Sequence, residues 1–142
     1  MHIRQMRFSD FKQINGLLDK NYKKHKLFPL FLWFTKLFPI KISYGFVVEK
    51  DKKIIGFAAT YKKFRKNGWF IFSVVVKKQF RERGIGTKLM RHLLNNIKRK
   101  GRKAFLIAEN GSEDFYKKLG FRKNTKYLEL SLNGYLPHYK RN

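Results

Sequence analysis

Two glycines and two arginines stand close together in residues 81–87, RERGIGT. Gly84 and Gly86 have no Cβ, so a ligand can come close to the backbone N–H groups around them. An apolar helical repeat follows, and the free N–H groups in the first turn of a helix attract anions. Arg81 and Arg83 add fixed positive charge that suits phosphate oxygens. The segment therefore predicts a site for a phosphate-bearing ligand, with a tight turn flanked by solvated arginines as the alternative.

Two well-known phosphate motifs do not describe this segment. A P-loop ends in Lys followed by Ser or Thr, whereas Gly86 is followed by Thr87 and then Lys88. The third glycine of a dinucleotide-binding fingerprint is missing from its required place. The segment resembles instead the Q/R-x-x-G-x-G/A loop of the GNAT-type N-acetyltransferases. That resemblance implies that the pyrophosphate of acetyl-CoA is held by Arg81, Glu82, Arg83, Gly84, Ile85, Gly86 and Thr87.

A second segment, residues 109–121, combines the end of a strand with a short helix that starts with acids and stops at Gly120. It resembles the late N-x-x-A-x-x-F-Y-x-x-x-G-F motif of the same family, with Ser112 or Glu113 in place of the usual small residue. The resemblance implies that Tyr116 protonates the departing CoA thiolate, since a phenol of pKa about 10 can protonate a thiol of pKa about 8.5 as it leaves. A tyrosine that only packs is the alternative.

Asn110 has two interpretations. The resemblance implies that it binds the CoA arm at the end of the fifth strand, while its spacing from Glu113 also fits an N-cap with a capping box. The resemblance further implies that the strand before the loop splays and binds the pantetheine arm at Val74, Val75 and Val76.

Apolar patterning predicts the elements that hold these segments. Residues 71–76 are apolar apart from Ser73, which is typical of a strand covered on both faces. An apolar residue recurs every fourth position from Ile85 to Ile97 and predicts a helix that packs on this strand. Gly101 is expected to close that helix, because glycine is common just past a helix end.

Five further strands are predicted from alternating or apolar runs, in residues 3–8, 44–49, 54–61, 103–108 and 126–132. The second and third are joined by a polar hairpin turn at residues 50–53, and Asn67 with Gly68 predicts the next hairpin. The fourth of the five is expected to be buried through Phe105, Leu106 and Ile107.

Helices complete the predicted domain. The first follows a cap at Ser9 or Asp10 and is expected to bury Phe11, Ile14, Leu17 and Leu18. Residues 27–40 are expected to form a helix or loop over the acceptor side, with a plain core helix as the alternative, and residues 134–142 a final strand or a frayed tail. The elements and the resemblance imply one domain over residues 1–142 with the α/β (α+β) GNAT fold. This fold is a single mixed, centrally splayed sheet of six to seven strands flanked by about four helices.

The net charge is +25, with 34 lysines and arginines against nine acids along the whole chain. Such a field attracts polyanions and makes RNA or the ribosome a candidate partner, although a lysine-rich solvated surface has the same composition. No zinc finger, basic zipper or aromatic RNP segment supports a nucleic-acid-binding module. The absence of cysteine excludes disulfides, thiolate metal sites and a cysteine nucleophile.

Location and assembly are only loosely constrained. Residues 1–10 have no apolar core of signal-peptide length, so a cytoplasmic protein is expected. The longest apolar stretch, residues 27–40, is too short to span a bilayer. No metal is predicted, and monomer and dimer both stay open.

The resemblance implies direct transfer of an acetyl group from acetyl-CoA to a primary amine, with the oxyanion held by a backbone N–H near residues 74–76. No base is evident, because Phe70 stands where some family members carry a glutamate; Glu49 and Glu109 are the only acids expected near a strand end or on a central strand. The cationic chain favours a neutral or anionic acceptor, such as an aminoacyl-tRNA. The rival function is a GNAT-fold module that has lost turnover and binds RNA or ribosome through its charge.

Overall fold

The computed structural model describes residues 1–18, 43–63, 68–100, 103–109, 111–124 and 127–135. Within these ranges seven strands form one sheet in the order β1-β2-β3-β4-β5-β7-β6. The strands are β1 (His2–Gln5), β2 (Ser43–Lys50), β3 (Lys53–Lys63), β4 (Gly68–Val76), β5 (Lys103–Leu106), β6 (Arg122–Asn124) and β7 (Tyr127–Ser131). The α-helices of these ranges are α1 (Phe11–Leu17), α2 (Ile85–Ile97) and α3 (Glu113–Lys118). The mixed sheet confirms the predicted fold class.

One pair of neighbouring strands in the described sheet is parallel. Strands β1 to β4 form an antiparallel meander, β5 lies parallel to β4, and β7 and β6 complete the sheet in antiparallel pairing. A parallel neighbour needs a crossover connection, which α2 provides. The parallel ladder joins residues 68–70 of β4 to residues 103–105 of β5 and then ends. The rest of β4 is paired with β3 alone.

The helix predicted to pack on the central strand does so. It begins at Ile85 and ends at Ile97, as expected, and its whole apolar stripe is buried. The stripe packs in one core with Trp69 and Ile71 of β4. Burial of each large aliphatic side chain contributes about 1.5–3 kcal/mol, so this layer fixes β4 and the start of α2 relative to each other.

Helix α1 covers the opposite face of the sheet. Ile14 and Leu18 are buried in a second core with Phe57 of β3. Phe11 and Leu17, which were also predicted to be buried, are only partly covered. A helix of two turns presents a narrow face to the sheet, so the predicted stripe is too wide.

Asp10 takes the predicted N-cap position of α1, but its side chain makes no capping hydrogen bond to the helix. Its buried carboxylate accepts two hydrogen bonds of 2.8 Å from the Arg4 guanidinium and one of 2.7 Å from the Arg7 N–H. Arg4 also donates to Glu49 at 2.7 Å, so one arginine joins β1, β2 and the start of α1. The hydrogen bonds from Arg4, above all, hold the pKa of Asp10 below its usual value.

Two strand ends and one additional strand are the main differences from the predicted sheet. β1 ends at Gln5, and Phe8 is 69% exposed in a 3₁₀ turn. β5 ends at Leu106, so the prediction that Ile107 is buried is wrong, and its side chain is 58% exposed. β6 has no counterpart in the prediction, because its residues are polar and exposed and give no alternating signal.

The hairpin turn between β2 and β3 forms where predicted. Asp51 and Lys52 have φ angles of 50° and 59°, the left-handed pair that a two-residue type I′ turn requires. Several other predictions concern residues outside the described ranges: residues 27–40 and 136–142, Asn67, Gly101, Asn110 and Lys126. Within the described ranges, no helix has the length and apolar character to cross a membrane.

Candidate active site

A cleft with a volume of about 470 Å³ opens where β4 continues past its parallel ladder. It brings together the two segments that the sequence marks for chemistry, and it explains why Ile107 is exposed. The lining residues come from α1 (Leu17 and Leu18), from β4 (residues 71–76), from the loop after β4 (Arg81) and from the chain between β5 and α3 with its first turns (Ile107, Glu109, Ser112 and Tyr116).

Strand β4 contains one surplus residue at the start of the cleft. Ala59 of β3 pairs with Ser73 and Thr60 pairs with Ile71, so Phe72 has no partner on β3. This is a β-bulge, which bends the strand locally and increases its twist. The bulge lies just beyond the end of the parallel ladder, where β4 and β5 cease to pair.

The bulge decides which side chains of β4 face each layer. Ile71, Val74 and Val76 pack on the α2 side, whereas Phe72 and Val75 pack on the α1 side. Strict alternation from Ile71 would place Val74 on the α1 side instead. The predicted strand covered on both faces is therefore only partly right, because residues 74–76 are half-buried and line the cleft.

The backbone of Val76 is directed to the open edge of β4. The N–H of the next residue, Lys77, donates to the Ile55 carbonyl of β3 at 2.8 Å. Neighbouring residues of a strand direct their polar groups to opposite edges, so those of Val76 point away from β3. The Val76 carbonyl indeed accepts a hydrogen bond of 3.0 Å from Nε of Arg81, which fixes the loop to the strand end.

The same alternation separates the other two valines that the sequence marks. Val74 directs its N–H and C=O to the open edge, as Val76 does, and Val75 directs its own to β3. A Cβ placed on Gly56 of β3 would lie 2.9 Å from the Val75 carbonyl oxygen, which agrees with that orientation. Two of the three valines thus offer backbone groups to the cleft.

The start of α2 leaves its first amides without helical partners. Gly84 precedes the helix with φ of 70°, a left-handed angle that favours glycine. The first bond of the helix runs from the Lys88 N–H to the Gly84 carbonyl at 3.0 Å. The N–H groups of Ile85, Gly86 and Thr87 precede it and have no acceptor within the helix. They lie next to the loop that Arg81 holds against the end of β4.

Gly86 lies where α2 meets α3. A Cβ on Gly86 would lie 3.4 Å from the ring of Phe115 and 3.8 Å from the Val76 side chain. A methyl group would make ordinary contacts there. A large side chain would have to enter the space beside the cleft.

The two segments next to the end of β4, residues 50–53 and 77–83, contain seven cations, which we call the cationic rim: Lys50, Lys52, Lys53, Lys77, Lys78, Arg81 and Arg83. The β2–β3 turn reaches the end of β4, as Lys50 Nζ lies 5.6 Å and the Arg83 guanidinium 5.9 Å from the centre of the Phe80 ring. Asp51 and Glu82 are the acids of the same two segments. The rim is therefore strongly positive.

Tyr116 lines the cleft from α3 and is half-buried against the core on the α2 side. Its ring contacts those of Phe115 and Phe121, with centres 5.0 Å and 6.0 Å away. The Tyr116 carbonyl accepts hydrogen bonds from the N–H groups of Leu119 and Phe121. Gly120 lies between them with φ of 93°, so the helix ends at the predicted glycine. The ring contacts and the bonds to its carbonyl together fix the position of Tyr116.

A short turn precedes α3. The helix begins at Glu113 with Ser112 at its N-cap position, and both interpretations of Asn110 concern a residue outside the described ranges. Ser112 donates to the Glu109 carbonyl through its N–H at 3.0 Å and through Oγ at 2.7 Å. That short turn positions the wall of the cleft opposite β4.

Residues 8–121, most of the chain, match the acetyltransferase (GNAT) family. The chain belongs to the GNAT family. An uncharacterized N-acetyltransferase of Methanocaldococcus jannaschii is 32% identical over 123 residues, which cover 80% of this chain and 53% of that protein. The chain thus spans about half the length of this GNAT relative. The family predicted from the two motifs is confirmed.

Solved GNAT structures share the fold. An acetyltransferase of Brucella melitensis in complex with acetyl-CoA superposes with a TM-score of 0.74 at 21% identity, over 92% of this chain and 86% of that one. The ribosomal-protein-S18-alanine N-acetyltransferase of Escherichia coli gives 0.72 at 17% identity, over 92% and 93%. At these identities the likeness concerns the fold.

Acids are scarce around the GNAT cleft of this chain. Glu49 of β2 forms an ion pair with Arg4 of β1 and does not line the cleft. Glu109 does line the cleft. Glu109 is the only acid in the cleft wall among the described residues. Phe70, at the place of the family's glutamate, ends the parallel ladder opposite Phe105.

The structure brings Val74, Val75, Val76, Arg81 and Tyr116 into one cleft. The other predicted loop residues, Glu82, Arg83, Gly84, Ile85, Gly86 and Thr87, are not among the residues that line it. The structure also shows one residue that the prediction passed over, Ser73, which lines the cleft as a buried polar side chain. Its signal was available as the one hydroxyl in an apolar strand. In the part of the chain that the structure describes, no group of side chains could hold a metal ion.

Proposed function

We propose that this GNAT domain is an acetyl-CoA-dependent N-acetyltransferase that moves an acetyl group directly to a primary amine. The observation that carries the proposal is the continuity of the open edge of β4 with the uncapped start of α2. A CoA arm paired with β4 would lead its diphosphate to those amides. The acetyl-CoA complex of the Brucella melitensis protein, which has the same fold, supports this choice of ligand.

The proposed seat of the diphosphate is the N–H groups of Ile85, Gly86 and Thr87, at the positive end of the α2 dipole. The loop residues 81–84 complete it, with guanidinium donors and a left-handed Gly84. The proposed partners of the pantetheine arm are the polar backbone groups of Val74 and Val76, which would bind it as an added strand. Asn110, outside the described residues, keeps the arm-binding role implied by the family motif.

The proposed chemistry forms one C–N bond and breaks one C–S bond. The amine nitrogen attacks the thioester carbon, and an N–H of the open edge stabilises the oxyanion. Tyr116 gives its proton to the thiolate as the C–S bond breaks. An acyl-cysteine intermediate is excluded, because the chain has no cysteine. The amine nitrogen loses its proton to water, with the Glu109 carboxylate as the base available in the described cleft wall, and the Tyr116 phenolate then regains a proton from water.

Calorimetric titration with acetyl-CoA tests the proposed cofactor site. We expect Gly86→Trp to weaken binding at least about 100-fold, because the indole would fill the space beside the first amides of α2. Gly16→Trp is a matched control, since Gly16 is exposed on α1 and, apart from its own stretch of helix, no described residue comes within 4 Å of its Cβ position. Equal acetyl-CoA binding by both variants would contradict the assignment of the diphosphate to this loop.

Thiol release from acetyl-CoA tests turnover without background, since the protein contributes no thiol of its own. The panel is alaninamide, an aminoacyl-tRNA, spermine and a lysine-rich peptide. The cationic rim would repel the last two, so we expect the first two to be better acceptors at low salt. Preference for spermine or the lysine-rich peptide would overturn the proposal of a neutral or anionic acceptor. The absence of turnover with every amine would remove the enzyme proposal itself.

The cationic rim favours one second function, binding of RNA or ribosome by a catalytically weak GNAT module. Electrophoretic shift of tRNA over a salt series tests it, because phosphate contacts lose affinity steeply as salt rises. Charge reversal of Lys52 and Lys53 in the rim should weaken the shift more than reversal of Lys117 and Lys118 on α3. Equal losses would mean attraction by net charge alone.

A further inference from the structure

Ser73 has a buried hydroxyl that forms no hydrogen bond with any of the residues that the structure describes. The residue is 6% exposed, lines the cleft and follows the surplus residue of the bulge. A buried hydroxyl without a partner destabilises the fold. An alanine, such as its cross-strand partner Ala59, would fit this place in the sheet better.

The neighbouring buried hydroxyl shows the structural alternative. Thr60 of β3 is fully buried, and its Oγ1 donates to the Phe70 carbonyl at 2.8 Å. That bond joins β3 to β4 on the closed part of the sheet. Thr60 therefore serves the fold, whereas the Ser73 hydroxyl has no such role.

Ser73 and Tyr116 approach the cleft from opposite faces of the sheet. Ala59, which pairs with Ser73, and Val75, two residues further on, both pack on the α1 side. Side chains two apart in a regular strand share a face, so Ser73 lies on the α1 side. Tyr116 packs against the core on the α2 side. If Tyr116 lies beside the sulfur, the α1 side is the one left for the acceptor.

We propose that Ser73 is an acceptor-binding residue whose hydroxyl oxygen accepts a hydrogen bond from an N–H of the attacking amine. The hydroxyl would orient the nitrogen lone pair toward the thioester carbon, and no bond to Ser73 is made or broken. Because Oγ is covered in the structure, the contact involves rotation about the Cα–Cβ bond to another staggered rotamer. The inference rests on the proposed transferase activity and assigns the side from which its amine arrives.

Steady-state kinetics of Ser73→Ala test the assignment, with acetyl-CoA and the best acceptor of the amine panel. We expect kcat/KM for the amine to fall about tenfold, the effect of one lost hydrogen bond. Acetyl-CoA affinity, measured by calorimetry, should stay within about twofold, because the backbone edge is unchanged. The melting temperature should stay equal or rise, since an unpaired buried hydroxyl is removed. Ser73→Thr, which keeps the hydroxyl, should retain most of the activity.

Thr60→Val is the matched control, because it also removes a buried hydroxyl of similar position. It should lower the melting temperature and leave the kinetics unchanged, the reverse of Ser73→Ala. Unchanged kcat/KM in Ser73→Ala would overturn the proposal, as would an equal loss of acetyl-CoA affinity, which would assign Ser73 to the cofactor arm. If the native protein binds acetyl-CoA but acetylates no amine, the transferase proposal fails and Ser73 loses its role with it. If the native protein is active and the alanine variant equally so, only the Ser73 assignment fails.

Discussion

The two halves of β4 differ in what lies beside them. Residues 68–70 have β3 on one edge and β5 on the other, and Trp69 among them is buried. Residues 73–76 have β3 on one edge and the cleft on the other. The residues are similarly apolar in both halves, so the difference comes from pairing and not from composition.

This comparison shows where binding capacity arises in the domain. A strand edge without a neighbouring strand presents unpaired N–H and C=O groups, and an extended ligand can form hydrogen bonds with them. The closed half satisfies these groups within the sheet and provides stability. We infer that the open half leaves them for the ligand, with Ser73 and Tyr116 on either face.

At the cleft beside the open half of β4, the largest effect is expected from Tyr116→Phe. Removing the phenol proton should lower kcat about 100-fold, within the usual contribution of a general acid. KM for acetyl-CoA should change little, because the ring still packs on Phe115 and Phe121. Thiol-release kinetics measure both constants. Tyr135→Phe is the control, since Tyr135 packs on the same core but does not line the cleft. A kcat reduced equally in both variants would assign Tyr116 to packing.

A pair of proline variants tests the two edges of β4 directly. Val75→Pro removes an N–H that faces β3 and should lower the free energy of unfolding by roughly 3 kcal/mol. Val76→Pro removes an N–H that faces the cleft, so it should cost less stability and weaken acetyl-CoA binding about tenfold. Denaturant unfolding and calorimetry measure the two quantities. Similar stability losses in both variants would contradict the assigned orientation of the backbone.

A smaller effect, confined to stability, is expected from Asp10→Asn on the opposite side of the sheet from α2. At pH 7 the variant should lose about 2 kcal/mol, less than the roughly 3–5 of a fully buried ion pair, because Arg4 is 21% exposed. The pKa of Asp10 is lowered in the folded state, so its contribution is complete above the usual value of 3.8 and is lost as pH falls through the folded pKa. Denaturant unfolding should therefore show the full difference between the two proteins at pH 7 and a smaller difference below pH 3.8. A constant difference at both pH values would exclude the ion pair as its source.

The sequence predicted the fold because the two signals it depends on are strong. The four-residue apolar repeat of α2 and the apolar run of β4 both predict burial, and Gly120 lies just past the end of a helix, where a left-handed residue is favoured. The two motif segments contain Arg81 and Tyr116, and both residues line one cleft. These features are local, so a single sequence carries them.

Other features escaped prediction because they depend on tertiary pairing. Asp10 has the type and position of a helix cap, and only the proximity of Arg4 across the fold diverts its carboxylate. Ile107 looks like a core residue, but β5 ends one residue earlier. The bulge at Phe72 is invisible in an apolar run, since each alternation there is equally hydrophobic. Ser73 stands out in the sequence as the one hydroxyl of an apolar strand, but only the structure shows that its Oγ has no partner among the described residues.

The surplus residue of β4 determines which side chains and backbone groups of this strand face the cleft. If Phe72 instead paired regularly with β3, simple alternation would turn every later side chain to the other layer and every later amide to the other edge. Loss of the bulge with the sequence unchanged would therefore exchange ligand-facing groups for sheet-facing ones. Distant relatives of this chain should accordingly be aligned backwards from the glycine loop, because counting forward from the preceding hairpin would assign their polar residues to the wrong face.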